Sequence, residues 1–195
     1  MGKIYYMMGK SASGKDTLYK EVRERCPQLK TVILYTTRPI RDGETDGVEY
    51  FFVTKEILDN YDEQGKIIEM RTYHTVHGDW HYATIDDGQV DLDRNDYIIL
   101  GTLESYEGMK KYYGEENLVP VYIEVEDGER LRRALMREFT QEAPKYAEMC
   151  RRFLADSEDF SEENLEKAGI KKRFINADKI QCLEEILGEI RYGKL

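Results

Sequence analysis

This chain of 195 residues is poor in cysteine, proline and tryptophan, with three, four and one respectively. Cys26, Cys150 and Cys182 stand far apart, and none belongs to a Cys-x-x-Cys spacing. That pattern argues against a disulfide framework or a thiolate metal site, and for reduced cysteines in a cytoplasmic protein. No apolar run is long enough to span a bilayer, which leaves no membrane-embedded reading. The first ten residues, "MGKIYYMMGK", lack the apolar stretch and small-residue cleavage site of a secretory signal, and read as a first strand. Gly2 begins a myristoylation pattern, but Tyr6 stands where serine or threonine is required. Positive charge is short as well: 29 Lys and Arg face 39 Asp and Glu, a net charge of −10. The balance argues against a nucleic-acid backbone as partner, so a phosphate site here has to be assembled from a few locally gathered cations.

What remains is a globular composition, 41% hydrophobic and 35% charged, in a length that suits one domain. There is no repeat, no low-complexity tract and no linker rich in proline, glycine or serine. Strand-like and helix-like segments alternate, which predicts a parallel sheet with helices on its faces. "KIYYMMG", "TVILY", "DYIILG", "LVPVYIEV" and "RFIN" read as strands. Helices are expected over "GKDTLYKEVRER", where Leu18 and Val22 keep helical spacing before Pro27, and near 105–113, 128–136, 145–160 and 178–192. The interval 37–88 breaks this rhythm. "YFFV", "KIIEMR" and "WHYAT" suggest a small mixed sheet with "KEILDNYDEQ" as its helix, an insertion into the main unit.

Gly9 to Thr17, "GKSASGKDT", carries the first chemistry. A strand, a glycine-rich turn and a helix make an anion site, because backbone N–H groups and the helix N-terminus converge on the turn. Gly9 and Gly14 allow torsions and close approach that side chains would block. Lys10, Ser11, Ala12 and Ser13 complete the turn, and Lys15 reaches the β- and γ-phosphates of a nucleoside triphosphate. Asp16 stands where serine or threonine is usual, with Thr17 one place later. An aspartate there offers Mg²⁺ a hard anionic oxygen, so metal handling changes while the site persists.

Residues 36–53 read "TTRPIRDGETDGVEYFFV". Arg38 and Arg41, three apart in a turn-rich segment followed by Tyr50, suit bidentate recognition of a phosphate. The whole stretch resembles the nucleoside-monophosphate segment of guanylate kinases, T-T-R-x-P-R-x-G-E-x-x-G-x-x-Y-x-F-V. The likeness continues through "KIIEM" and "GDWHYAT", where the family has a strand ending in glutamate and G-x-x-Y-G-T. The resemblance implies a P-loop NTPase fold: an α/β three-layer parallel sheet, an inserted mixed α+β acceptor subdomain and a helical lid. It divides the chain into a core (1–36, 85–136 and 160–195), an insertion (37–84) and a lid (137–159). It also implies that Arg38, Arg41, Tyr50 and Tyr82 hold the acceptor's phosphate, that Glu69 takes guanine's N1–H and amino donors, and that Thr84 meets the base's far edge. "LRRALMRE" and "CRRFLAD" look like two lid helices, with Arg133, Arg137 and Arg152 neutralising the triphosphate and the transferring group.

The expected activity is phosphoryl transfer from Mg·ATP to GMP or dGMP, catalysed chiefly by Lys15, Arg38, Arg137 and Arg152. Nucleotides are then the partners, and nothing sets the oligomeric state. Two alternatives stay open. One is a kinase of the same fold acting on another small phosphate ester, such as a ribose bisphosphate. The other is a non-catalytic guanylate-kinase-like module that binds a partner protein, a class that tends to lose the lysine and arginines retained here.

The chain departs from the family's pattern in three places. Asp16 is one. At the end of the third core strand the family writes acids that organise Mg²⁺, but this chain has Gly101, with Glu104 the nearest acid. Asp16 and Glu104 are therefore the candidate metal ligands. Third, Ala83 replaces a glycine, and Leu34-Tyr35 replace a serine-rich approach to the base. His74, His77 and His81 fall within eight residues, but no fourth zinc ligand stands at a recognisable spacing.

Overall fold

The computed structural model describes residues 2–75 and 78–193. Its centre is a five-stranded, wholly parallel sheet in the order β2-β7-β1-β8-β9. The strands are β1 (Ile4–Met8), β2 (Lys30–Thr31), β7 (Tyr97–Leu100), β8 (Leu118–Glu124) and β9 (Arg173–Ile175). All five residues of β1 are buried, as expected of a strand covered on both faces. Ile4, Tyr6 and Met8 point into one core with Tyr106, Met109 and Leu165, from α3 (Leu103–Tyr113) and α6 (Glu162–Lys167). Tyr5 and Met7 enter the opposite core with Leu18 and Val22 of α1 (Lys15–Arg25) and Leu183, Ile186 and Ile190 of α7 (Lys179–Tyr192). The period-2 alternation thus feeds two layers, each large apolar side chain contributing about 1.5–3 kcal/mol.

The second sheet is mixed, in the order β4-β3-β6-β5. Its strands are β3 (Leu34–Thr36), β4 (Tyr50–Phe52), β5 (Ile67–Thr75) and β6 (Gly78–Ile85), with α2 (Lys55–Glu63) alongside. "TVILY" is therefore not one strand: Thr31 pairs in the central sheet and Leu34 in the second. Between them, the Ile33 N–H donates to Gln89 Oε1 and the Ile33 carbonyl accepts from Gln89 Nε2, at 2.9 and 3.1 Å. A side chain thus takes the backbone groups a continuous strand would have used. Tyr35, Leu58, Ala83 and Ile85 form a small core beneath this sheet. Ala83 points its methyl there, away from the face that carries Tyr82 and Thr84.

Two further helices, α4 (Asp127–Phe139) and α5 (Tyr146–Asp159), carry the expected lid arginines, and α6 was not anticipated. No helix among the described residues is long and apolar enough to cross a membrane.

Candidate active site

The glycine turn leaves the carboxyl end of β1, which lies between β7 and β8, where ligands of open parallel sheets bind. Gly14 has φ 85° and Ala12 φ 62°, so the turn runs through left-handed torsions that curl its N–H groups inward. A Cβ on Gly14 would stand 2.5 Å from Asn176 Nδ2, which itself donates to the Ser13 carbonyl at 2.7 Å. Lys15 opens α1, its Nζ 3.3 Å from Asp16 Oδ2, and the Asp16 side chain is 70% exposed. Thr17 is exposed on the same first turn. Lys10 instead pairs with Asp127 at 3.7 Å. Ser13 Oγ is fully buried and has no hydrogen-bond partner among the described residues.

Three residues of this site went unread in the sequence. Arg130, 1% exposed, donates through Nε to the Ser11 carbonyl and pairs with Asp127 and Asp156. Asp156 of α5 accepts the Ser11 N–H at 2.6 Å, so an internal carboxylate takes a backbone N–H of the glycine turn. Asn176 braces the turn from beyond β9. Arg133 lies close by, held by Glu129 at 2.8 Å and donating to the Asn176 carbonyl at 3.0 Å. Arg137 and Arg152 share a narrow crevice with Ser11 and Arg130. Arg152 is tied to Glu148, whose carboxyl Arg151 and Arg152 hold down at about 2 against the opposing effect of burial.

Of the residues expected at the acceptor, Tyr50, Glu69, Tyr82 and Thr84 share one face of the second sheet. Glu69 opposes Thr84 and Arg71 opposes Tyr82 across β5 and β6, while Thr36 opposes Tyr82 across β3 and β6. By the same alternation Leu34 shares this face with Thr84. Arg38, 3% exposed, donates through Nε to Tyr82 Oη at 3.1 Å and by a two-pronged fork to Glu44 at 2.8 and 2.9 Å. Its guanidinium also lies 5.6 Å from the Tyr50 ring centre, and Tyr50 meets Tyr82 edge-on. Arg41 is exposed; its backbone N–H donates to the Glu44 carboxylate and its carbonyl accepts from the Glu44 N–H.

At the other end, Glu69 accepts from Thr84 Oγ1 at 2.6 Å and from Arg71 Nε at 3.0 Å. Glu69 and Arg71 side chains are each 7% exposed. Burial disfavours the Arg71 cation, and the charges of Glu69 and its neighbours more than offset this. α3 approaches so closely that a Cβ on Gly108 would stand 2.5 Å from the Glu69 Cβ. Arg71 was also missed: an arginine in a mixed strand reads as solvated, and only its i, i+2 spacing from Glu69 marks the shared face.

Sequence comparison assigns the fold's family. The guanylate kinase family model matches residues 1–143. The chain belongs to the guanylate kinase family. It is 42% identical over 69 residues to a guanylate kinase of Tropheryma whipplei strain Twist, covering 35% of this chain and 36% of that one. Against a guanylate kinase of Helicobacter hepaticus it is 30% identical over 115 residues, 58% of this chain and 56% of the relative. The chain thus spans between about a third and just under two thirds of the curated relatives it matches. The crystal structure of guanylate kinase from Anaplasma phagocytophilum superposes with TM-score 0.66 at 18% identity, covering 100% of this chain and 87% of that one. This likeness extends the guanylate kinase fold over the whole chain.

The candidate metal ligands lie in different settings. Asp16 is beside Lys15, whereas Glu104 lines a cavity of about 440 Å³ with Tyr73, Thr102, Glu107 and Asp159. Burial, then Asp156 and Glu158, raise the Asp159 pKa. No group of three or more His, Cys, Asp or Glu among the described residues is placed to hold a metal. His74 binds Asp79 and His81 binds Thr72, while His77 lies outside the described residues.

Proposed function

We propose that this protein transfers a phosphoryl group from ATP to GMP or dGMP, giving ADP and the nucleoside diphosphate. The observation that carries the reading is the single face on which Arg38, Tyr50 and Tyr82 stand at one end and Glu69 and Thr84 at the other. Two residues along a strand span about 6.6 Å, a separation suited to a nucleoside monophosphate laid along the sheet.

Phosphoryl transfer asks little covalent chemistry of the protein and much positioning. Lys15 and the turn's N–H groups hold the donor's phosphates. Arg41, with Tyr50 and Tyr82, receives the acceptor's phosphate, and Arg38 shapes that end from beneath through its Glu44 fork. Glu69 accepts from guanine's N1–H and amino group, donors that adenine does not present at those positions. Arg133, Arg137 and Arg152 lie on or beside the lid segment and close over the transferring group, excluding water. Asp156 must yield the Ser11 N–H if a phosphate oxygen is to take it.

Magnesium fits the donor end: Asp16 and Thr17 put hard oxygens on the first turn of α1, and such sites use one or two carboxylates with the substrate's phosphates. When bound, the ion neutralises phosphate charge. Asp16 is the preferred ligand, with Glu104 as the second candidate.

Titration calorimetry with GMP tests the acceptor end. GMP should bind, and Arg41→Ala should weaken it about 10-fold or more, the cost of one charge-assisted contact. Equal affinity in both proteins would remove Arg41 from the site.

A further inference from the structure

Thr84 has one hydroxyl proton, and it goes to Glu69 Oε1 at 2.6 Å. Thr84 therefore does not donate to a carbonyl on a bound base while that bond stands. Glu69 keeps capacity, since a carboxylate offers about four acceptor positions and two are filled. The wall facing guanine's N1–H and amino group is present, but the donor for its 6-oxo oxygen has to come from elsewhere.

Arg71 supplies one. Its Nε goes to Glu69 and its Nη1 to Thr102 Oγ1 at 3.0 Å. Nη2 has no hydrogen-bond partner among the described residues. Ser13 Oγ is the one fully buried, unpartnered side-chain polar atom among them, so Nη2 retains contact with solvent. Glu69 and Arg71 are two apart on β5 and share its cleft face. An acceptor and a donor then stand side by side along one wall, matching a ligand edge that carries a donor next to an acceptor.

We infer that Arg71 is a specificity-determining residue: Nε orients Glu69, and Nη2 donates to the carbonyl oxygen of a 6-oxopurine nucleotide. The inference rests on the acceptor being a nucleoside monophosphate read at Glu69. Thr102, the cap of α3, holds the guanidinium at its far end. Thr84 acts through Glu69 as a positioning residue.

The test is calorimetric binding of GMP, IMP and 6-thio-GMP to the full chain and to Arg71→Met. IMP keeps the oxo group and N1–H but lacks the 2-amino group. The thio analogue keeps both donors and replaces the oxo oxygen by sulfur, a weak acceptor. Arg71→Met should weaken all three ligands through the lost brace on Glu69, and should weaken GMP and IMP roughly 10-fold more than 6-thio-GMP. Equal weakening of all three would make Arg71 a purely structural brace and overturn the inference, as would unchanged binding of all three. If Arg71→Met does not fold, Arg71→Lys carries the same comparison, because it keeps the charge beside Glu69 and loses the fork. Failure of the unmodified chain to bind GMP would instead overturn the acceptor reading itself, and the inference with it.

Discussion

The Tyr6 hydroxyl occupies the space into which a side chain on residue 101 would project: a Cβ on Gly101 would collide with Tyr6 Oη. That hydroxyl donates to Ser105 Oγ at 2.6 Å, and Ser105 in turn closes the capping box of α3 with Thr102. The missing acid at the end of β7 is thus a packing consequence as well as a chemical change. Gly101→Ala should destabilise the fold by about 1–3 kcal/mol, as overfilling a packed site does. In a Tyr6→Leu background the same substitution should cost clearly less. Denaturant unfolding of the four proteins measures the coupling, and strictly additive costs would show that Tyr6 is not the obstacle.

Lys15 is separable from the fold. Among the described residues its ammonium group meets only the exposed Asp16, at 3.3 Å. Lys15→Ala should therefore leave Tm nearly unchanged and lower turnover about 100- to 1,000-fold, the scale for removing one aimed electrostatic group. Parallel loss of Tm and activity would point to a structural role.

Glu44 makes a pH-dependent contribution. The two-pronged Arg38 contact, with help from the Arg41 N–H, holds its pKa below the ordinary value of 4.5 despite the opposing effect of burial. A depressed folded-state pKa means that the contribution is fully present above pH 4.5 and is lost as pH falls through the folded value. Glu44→Gln should be less stable than the parent at pH 7, with the difference shrinking below pH 4.5. Thermal unfolding from pH 7 to pH 3 reads it directly, and a constant difference would contradict the assignment.

Arg137 and Arg152 serve the transferring group in this account, not the acceptor's ground state. Arg152→Ala should cost little stability, because its partner Glu148 keeps Arg151. Both single alanine variants should lower kcat about 10-fold or more and leave the KM for GMP within about threefold, the signature of contacts made in the transition state. A rise in KM alone would place them at the acceptor.

Much of this was legible from spacing. The glycine turn needs a strand before it and a helix after it, and the apolar runs of "KIYYMMG" and the Leu18/Val22 pair announce both. The segment around Arg38 and Arg41 was read from its likeness to the guanylate kinase pattern; the structure brings Arg38, Tyr50 and Tyr82 together there and leaves Arg41 exposed. Arg71 and Arg130 escaped because an arginine's burial depends on partners brought in by tertiary structure: Glu69 and Thr102 for one, Ser11, Asp127 and Asp156 for the other. The break between Thr31 and Leu34 escaped for the same reason, since the side chain that interrupts the strand, Gln89, lies 56 residues beyond Ile33. Ala83 looked like a change to the base site and proved to be core filling on the opposite face.

The most direct test of the central claim is ADP formation by the purified chain with Mg·ATP, comparing GMP, dGMP, AMP, CMP, UMP and no acceptor. The account predicts turnover with GMP and dGMP, far above the other nucleotides and the acceptor-free rate. Equal rates across all acceptors, or no turnover with any of them, would contradict it.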